Sequence, residues 1–117
     1  MSIQAVAVFC GSKNGANPQY VMDAESLGGG LGQRQIEIVY RGGSAGLMGS
    51  VADAALLKGG KVVGIIPQLL VEWEVAHRGL TDLIVCDDMH RRKEKIYSRC
   101  DAVIVLPGGF GTLDELF

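Results

Sequence analysis

A glycine-rich segment near the end of the chain combines residues that could bind an anion with one that should repel it. Pro107 to Thr112 directly follows the apolar run Ala102 to Leu106, so a strand is predicted to lead into a tight turn and a helix. Glycines let backbone N–H groups approach a phosphate closely, and the first turn of a helix adds unsatisfied donors and a positive dipole end. Glu115 lies just beyond this turn, so its carboxylate either has a structural role or faces an uncharged part of the ligand.

Two interpretations of Glu115 remain open from the residues alone. Thr112 and Glu115 have the T-x-x-E spacing of a capping box, in which each side chain satisfies the other's backbone N–H. Alternatively, Glu115 is a catalytic carboxylate. The adjacent Asp114 points about 100° away on a helix, so the two carboxylates do not form the pair that glycosidases use.

The other loops whose residues could bind a ligand or take part in catalysis also follow predicted strands. They include Gly11 and Ser12, the turn of residues 41–46 with Gly43 at its centre, and residues 88–92, which contain Met89 and Arg92. Carboxyl ends of parallel strands meet at one edge of a sheet, where α/β proteins bind ligands at the point of strand-order reversal. The loops are therefore expected to form one nucleotide-sized pocket.

Five apolar runs predict the strands that hold these loops. They are Ile3 to Cys10, Ile36 to Tyr40, Lys61 to Ile66, Leu83 to Cys86 and Ala102 to Leu106. Because the runs do not alternate with polar residues, both faces of the sheet are expected to be covered by helices. The prediction is a single α/β domain over residues 1–117, a doubly wound, Rossmann-like parallel sheet.

Local signals also place three helices. Asn17 and Pro18 predict the start of the first, whose four glycines should make it the weakest helix, and Gly59 with Gly60 ends the second after Gly46 to Lys58. The third is expected to begin after Asp88 and to end near Cys100. Its predicted apolar stripe consists of Met89, Ile96, Tyr97 and Cys100, with Arg92 and Lys93 on or beside it.

Composition excludes several classes of function. The chain has 117 residues, 48% of them hydrophobic, and a net charge of −2, so it has no bulk attraction for nucleic acid or for an anionic membrane. Cys10, Cys86 and Cys100 lack the spacing of a zinc site and are expected to be buried, reduced thiols. No basic leader or membrane-length apolar segment is present in the sequence, so a cytoplasmic location is expected.

Common cofactor and catalytic motifs are missing. No G-x-G-x-x-G follows the first strand, and no G-x-x-x-x-G-K-[ST] occurs, which disfavours NAD enzymes and P-loop NTPases. His77 and His90 lack metal-ligand companions, so surface or helix-end roles are expected for both, and no metal or cofactor is expected. Arg92 needs a partner beside an apolar stripe, either a local carboxylate or a ligand.

Together, several motifs resemble one family, the LOG family of cytokinin riboside 5′-monophosphate phosphoribohydrolases, whose older label is "lysine decarboxylase-like". The resemblance rests on Phe9 to Ser12, Gly42 to Gly49, Gly64 to Pro67, the MHxRK motif at Met89 to Lys93 and the PGGxGTxxE motif at Pro107 to Glu115. It implies hydrolysis of the N-glycosidic bond of an adenosine-type 5′-monophosphate, cytokinin-type or AMP, by a homodimer. The alternative is a non-catalytic nucleotide-binding or carrier protein of the same fold.

The resemblance also implies roles for individual residues. Arg92 and Glu115 would be the catalytic pair. The substrate-binding residues would be Gly11, Ser12, Gly43, Glu74, Met89, Lys93, Gly108, Gly109, Phe110, Gly111 and Thr112. Two features depart from the family pattern: Arg41 stands where the family usually has the first glycine of YGGG, and family members continue after this motif with a further strand and helix.

Overall fold

Parallel strands form the centre of the protein in a computed structural model, which describes residues 3–9, 18–44, 46–71 and 76–106. The strands are β1 (Ala5–Phe9), β2 (Glu37–Tyr40), β3 (Val62–Pro67), β4 (Asp82–Cys86) and β5 (Ala102–Val105). They lie in the order β4-β3-β2-β1-β5, and each neighbouring pair is parallel. The predicted doubly wound α/β fold is confirmed, and the strand order reverses at β1.

The helices also begin and end close to the predicted residues. They are α1 (Pro18–Gln33), α2 (Gly46–Leu57) and α3 (Met89–Arg99), with a short 3-10 helix at Gln68–Leu70. Asn17, the predicted cap of α1, lies outside the described residues. Asp88 caps α3, because its side chain accepts a hydrogen bond from the Arg91 N–H at 2.8 Å. Over the described ranges, no helix has the length and hydropathy needed to span a membrane.

The helices cover the two faces of the sheet unequally. Val6 and Val8 of β1 pack with α1 and α2, whereas Ala7 and Phe9 pack on the face of α3. All five residues of β1 are buried, as expected for a central parallel strand. The prediction of two covered faces is wrong for β4 and β5, because these outer strands of the described sheet expose Leu83, Val85, Val103 and Val105.

Glycines bring α1 and α2 into close contact. A Cβ at Gly28 would lie 2.2 Å from the Val51 carbonyl oxygen, and one at Gly32 would lie 2.6 Å from that of Ala55. Both distances are too short for any side chain. Two of the four glycines that lower the intrinsic helix propensity of α1 are thus required where its backbone meets α2.

Asp101, just before β5, is hydrogen-bonded to the start of β1 at the amino end of the sheet. Its Oδ2 accepts hydrogen bonds from the backbone N–H groups of Gln4 at 2.8 Å and Ala5 at 3.1 Å. These two donors lower the pKa of the Asp101 carboxyl below its ordinary value. The two strands that flank the reversal of strand order are therefore held in register by a charged side chain.

Candidate functional site

The carboxyl edge of β1 and β5 is the point from which two predicted site segments leave the sheet. The Leu106 N–H donates to the Phe9 carbonyl oxygen at 2.8 Å, so the strands remain paired to their last residues. Among the predicted site residues, Gly11, Ser12, Glu74, Gly108, Gly109, Phe110, Gly111, Thr112 and Glu115 lie outside the described residues. Gly43, Met89, Arg92 and Lys93 are described.

Arg92 lies near the carboxyl ends of β2 and β3, with only 2% of its surface exposed. Its Nε donates to the Ile65 carbonyl oxygen at 2.8 Å, and its Nη2 donates to the Arg41 carbonyl oxygen at 2.7 Å. Ile65 belongs to β3, and Arg41 follows β2. A buried guanidinium therefore connects the first turn of α3 to β3 and to the turn after β2. These two acceptors are backbone carbonyls, and the predicted carboxylate or ligand partner stays a prediction.

The position of Arg92 is set by the way α3 crosses the sheet. This helix leads from β4 at one side of the sheet to β5 at the other, and Ile96 is buried in the core beneath it. The rings of Phe9 and Tyr97 lie 5.9 Å apart at 53°, a tilted contact that fixes α3 against β1. The start of α3 therefore lies at the carboxyl edge, where Arg92 can reach the ends of β2 and β3.

Met89 and Lys93 flank Arg92 on α3. The prediction that Met89 belongs to the apolar stripe is wrong, because half of its surface (50%) is exposed at the first position of the helix. Its Sδ lies 3.8 Å from Arg92 Nη1, so it covers the guanidinium on one side. Lys93 is half-buried, and Arg91 is exposed. The remaining stripe residues, Ile96, Tyr97 and Cys100, are buried or half-buried as predicted.

The turn between β2 and α2 contains the predicted contact residue Gly43. Gly42 has a φ of +88°, a conformation that favours glycine, and a Cβ at the neighbouring Gly64 would lie 2.7 Å from its Cα. At Gly43, an added Cβ would meet no atom of the described residues within 4 Å. Among the described residues, the turn thus packs tightly at Gly42 and leaves space at Gly43.

Arg41 departs from the family pattern without straining this turn. Its backbone lies outside the left-handed region, so the position does not require glycine. Its carbonyl oxygen accepts the hydrogen bond from Arg92 Nη2.

His77 was not predicted to belong to the site, and the expectation of a surface or helix-end role is wrong. Only 11% of its side chain is exposed, and its Nε2 is hydrogen-bonded to Asp53 Oδ1 of α2. The His77 N–H also donates to the Gly42 carbonyl oxygen at 2.8 Å, beside the turn that holds Gly43. No local pattern links His77 to Asp53, which lies 24 residues earlier.

The described cysteines are free thiols. Cys86 is buried and Cys100 is half-buried, while Cys10 lies outside the described residues. Burial raises the pKa of the Cys86 thiol, partly offset by the nearby charge of Arg92, so the thiol stays protonated at neutral pH. In the ranges that the structure covers, no three His, Cys, Asp or Glu side chains are grouped so that they could hold a metal ion.

A five-stranded parallel sheet whose strand order reverses at β1, with a charged group buried near its carboxyl edge, defines the class of doubly wound α/β proteins. The family model described as "Possible lysine decarboxylase" matches residues 48–117. The chain belongs to this family, the LOG family.

Relatives in this family share nearly half of the sequence. A cytokinin riboside 5′-monophosphate phosphoribohydrolase of Rhodococcoides fascians is 45% identical over 115 residues, which cover 97% of this chain and 58% of that protein. An Arabidopsis thaliana protein of the same name is 44% identical over 111 residues, which cover 95% of this chain and 51% of that protein. The chain thus spans about half the length of the curated relatives it matches.

A solved structure confirms the fold at lower identity. The molybdenum cofactor carrier protein of Chlamydomonas reinhardtii superimposes with a TM-score of 0.81 and 18% identity, covering 98% of this chain and 69% of that chain. At this identity the likeness concerns the fold alone.

Proposed function

We propose that the protein hydrolyses the N-glycosidic bond of adenosine-type 5′-monophosphates, releasing the free base and ribose 5-phosphate. The observation that carries this proposal is the buried guanidinium of Arg92, fixed by the carbonyls of Ile65 and Arg41 at the edge where such sheets bind nucleotides. The names of the relatives from Rhodococcoides fascians and Arabidopsis thaliana support the same reaction.

In the proposed reaction, the bond between C1′ of the ribose and the base nitrogen breaks, and its electron pair leaves with the base. Positive charge develops on the sugar, and the carboxylate of Glu115 stabilises this charge. The same carboxylate orients or deprotonates the water that adds to C1′, and the base takes up a proton. The residues of the glycine-rich turn, Gly108 to Thr112, are proposed to hold the 5′-phosphate.

The fixed guanidinium suits a positioning and electrostatic role in this site. Two of its nitrogens donate to carbonyls of β3 and of the turn after β2, so the charge is held in place before a ligand arrives. Its positive charge would attract either the ribose phosphate or the carboxylate of Glu115. Gly11, Ser12, Gly43, Glu74, Met89 and Lys93 are proposed to contact the nucleotide around it.

The test is to incubate the protein with AMP and with isopentenyladenosine monophosphate and to measure free base by chromatography. Adenosine is the matched control, because it has the same glycosidic bond but no phosphate. We expect release of base from the monophosphates and not from adenosine. The Glu115→Gln variant should retain AMP binding and lose turnover.

One further outcome would contradict the proposed reaction, and another would contradict only the role of Glu115 in it. AMP that binds but is never cleaved would indicate a non-catalytic nucleotide-binding protein. Reduced helix stability in Glu115→Gln with full turnover would instead assign Glu115 to the capping box.

We also propose that the protein acts as a homodimer. Exposed apolar side chains near the carboxyl edge, Leu69 and Met89, support a contact between copies at this end of the sheet. Light scattering at several protein concentrations measures the mass directly. A monomer at every concentration would contradict the proposal.

A further inference from the structure

The turn after β2 is held through its backbone by three different parts of the protein. Each of its three successive carbonyls accepts a hydrogen bond from a separate donor. The donors are Arg92 Nη2 to Arg41 at 2.7 Å, the His77 N–H to Gly42 at 2.8 Å and the Tyr40 hydroxyl to Gly43 at 2.6 Å. Of these three donors, only Arg92 belongs to the predicted site.

His77 is itself held in one orientation. The Gly79 N–H donates to its Nδ1 at 2.9 Å, so Nδ1 carries no proton. Nε2 must then carry the proton of the neutral ring and donate it to Asp53 Oδ1. Ala76, the residue before His77, also forms an antiparallel bridge with Gly43. The ring therefore links residues 76–79 to α2 at the place where they pair with the turn.

Asp53 belongs to the same cluster as Tyr40. Burial and, to a smaller extent, the charge of Asp53 raise the pKa of Tyr40, so its hydroxyl stays protonated and donates to Gly43. The Tyr40 side chain is fully buried, whereas 68% of the Asp53 side chain is exposed. Asp53 can thus be replaced without opening a cavity in the core.

We propose that Asp53 and His77 are positioning residues that hold the Gly42–Gly43 turn in the conformation that binds the nucleotide. The pair acts on Gly43 through two linked contacts: the His77 N–H fixes the carbonyl of Gly42, and Ala76 pairs with Gly43. This inference rests on the proposed function, because Gly43 is a proposed contact of the 5′-monophosphate.

The test compares three variants in the AMP cleavage assay. Asp53→Ala removes the acceptor of the hydrogen bond from the His77 ring. Asp53→Asn keeps an acceptor oxygen and should preserve that hydrogen bond. Glu94→Ala is the matched control, since it removes the carboxylate of an exposed His90–Glu94 pair on α3, whose atoms lie 2.9 Å apart.

We expect Asp53→Ala to raise KM for AMP about threefold to tenfold with little change in kcat, because ground-state binding is weakened. Amide exchange at His77 and Gly79 should accelerate in the same variant. Asp53→Asn and Glu94→Ala should behave like the parent protein. A merely structural role would lower the unfolding free energy and leave KM unchanged in the folded protein.

The outcomes separate this inference from the proposed function. If the parent cleaves AMP and Asp53→Ala has an unchanged KM, the positioning role is overturned and the function stands. If the parent does not cleave AMP, the function fails, and AMP affinity by calorimetry decides the inference. Weaker AMP binding by Asp53→Ala then supports positioning, whereas equal affinity, or no binding by the parent, overturns it.

Discussion

Arg92 carries a charge in the interior, and its backbone partners make that possible. The guanidinium joins α3 to carbonyls that lie 27 and 51 residues away in the chain. Without the guanidinium, the buried carbonyl of Ile65 and the partly buried carbonyl of Arg41 would lose a charged donor. The residue therefore contributes to stability as well as to the proposed chemistry.

Replacing Arg92 by methionine should destabilise the fold and abolish turnover. We expect Arg92→Met to lower the free energy of unfolding by about 2–4 kcal/mol, because one buried and one partly buried carbonyl lose a charged donor. Urea denaturation measures this change. Arg91→Met, on the exposed side of the same helix, is the control and should change the free energy by less than about 0.5 kcal/mol. Equal effects of the two substitutions would show that the carbonyl contacts add nothing.

The sequence predicts contacts between residues that are close in the chain and does not predict contacts between distant residues. Asp88 was predicted to precede α3, because a helix cap depends on neighbours within one turn. The contact between His77 and Asp53 was not predicted, since it joins residues 24 apart whose pairing depends on how α2 packs. Arg92 was identified by its motif, but its carbonyl partners follow only from the strand order.

The contact between α1 and α2 requires glycine at positions 28 and 32 of α1 but not at position 29. At Gly29, an added Cβ would meet Lys58 Cγ at 3.8 Å, an ordinary contact. At Gly28, the same atom would lie 2.2 Å from the Val51 carbonyl oxygen. Two adjacent glycines thus have opposite tolerance for a methyl group.

Gly29→Ala should stabilise the protein, and Gly28→Ala should destabilise it. We expect a gain of about 0.5–1 kcal/mol for the first, from the higher helix propensity of alanine. We expect a loss of about 1–3 kcal/mol for the second, because the two helices must move apart. Thermal unfolding of both variants measures the difference. Stabilisation by both substitutions would contradict the close approach of the helices.

The Asp101 link between β1 and β5 should give the protein an acid-sensitive component of stability. The pKa of Asp101 is lowered in the folded state, so its stabilisation is present at neutral pH. It is lost as the pH falls below the ordinary aspartate range, about 4, and through the folded pKa. The melting temperature of Asp101→Asn should therefore lie below that of the parent at pH 7 and approach it in acid. A constant difference between pH 7 and pH 3 would contradict this role.

At the scale of the whole molecule, the central strands of the sheet are shielded from solvent and the outer strands of the described sheet are partly exposed. The five residues of β1 are buried, with β2 and β5 on either side, whereas β4 forms one side of the described sheet and exposes Leu83 and Val85. Apolar runs predicted all five strands, because parallel strands need little beyond hydrophobic residues. They did not predict which strands would lie outermost in the described sheet, since that order depends on the long connection through α3.

Hydrogen exchange should follow this arrangement. We expect the slowest amides in β1 and β2 and faster exchange in β4, because local opening is easier for an outer strand. Native-state exchange followed by NMR gives the rate for each amide. Equal protection of β4 and β1 would show that the sheet opens only as one unit.

The three backbone contacts of the Arg41–Gly43 turn also bear on how this sequence can evolve. Arg41 joins Arg92 through its carbonyl, which every amino acid carries, and its backbone has a conformation open to any residue. The anchor of the guanidinium is thus independent of the side chain at position 41. Sequence drift at this position can alter the surface beside the proposed nucleotide site while the carbonyl that accepts from Arg92 is inherited unchanged.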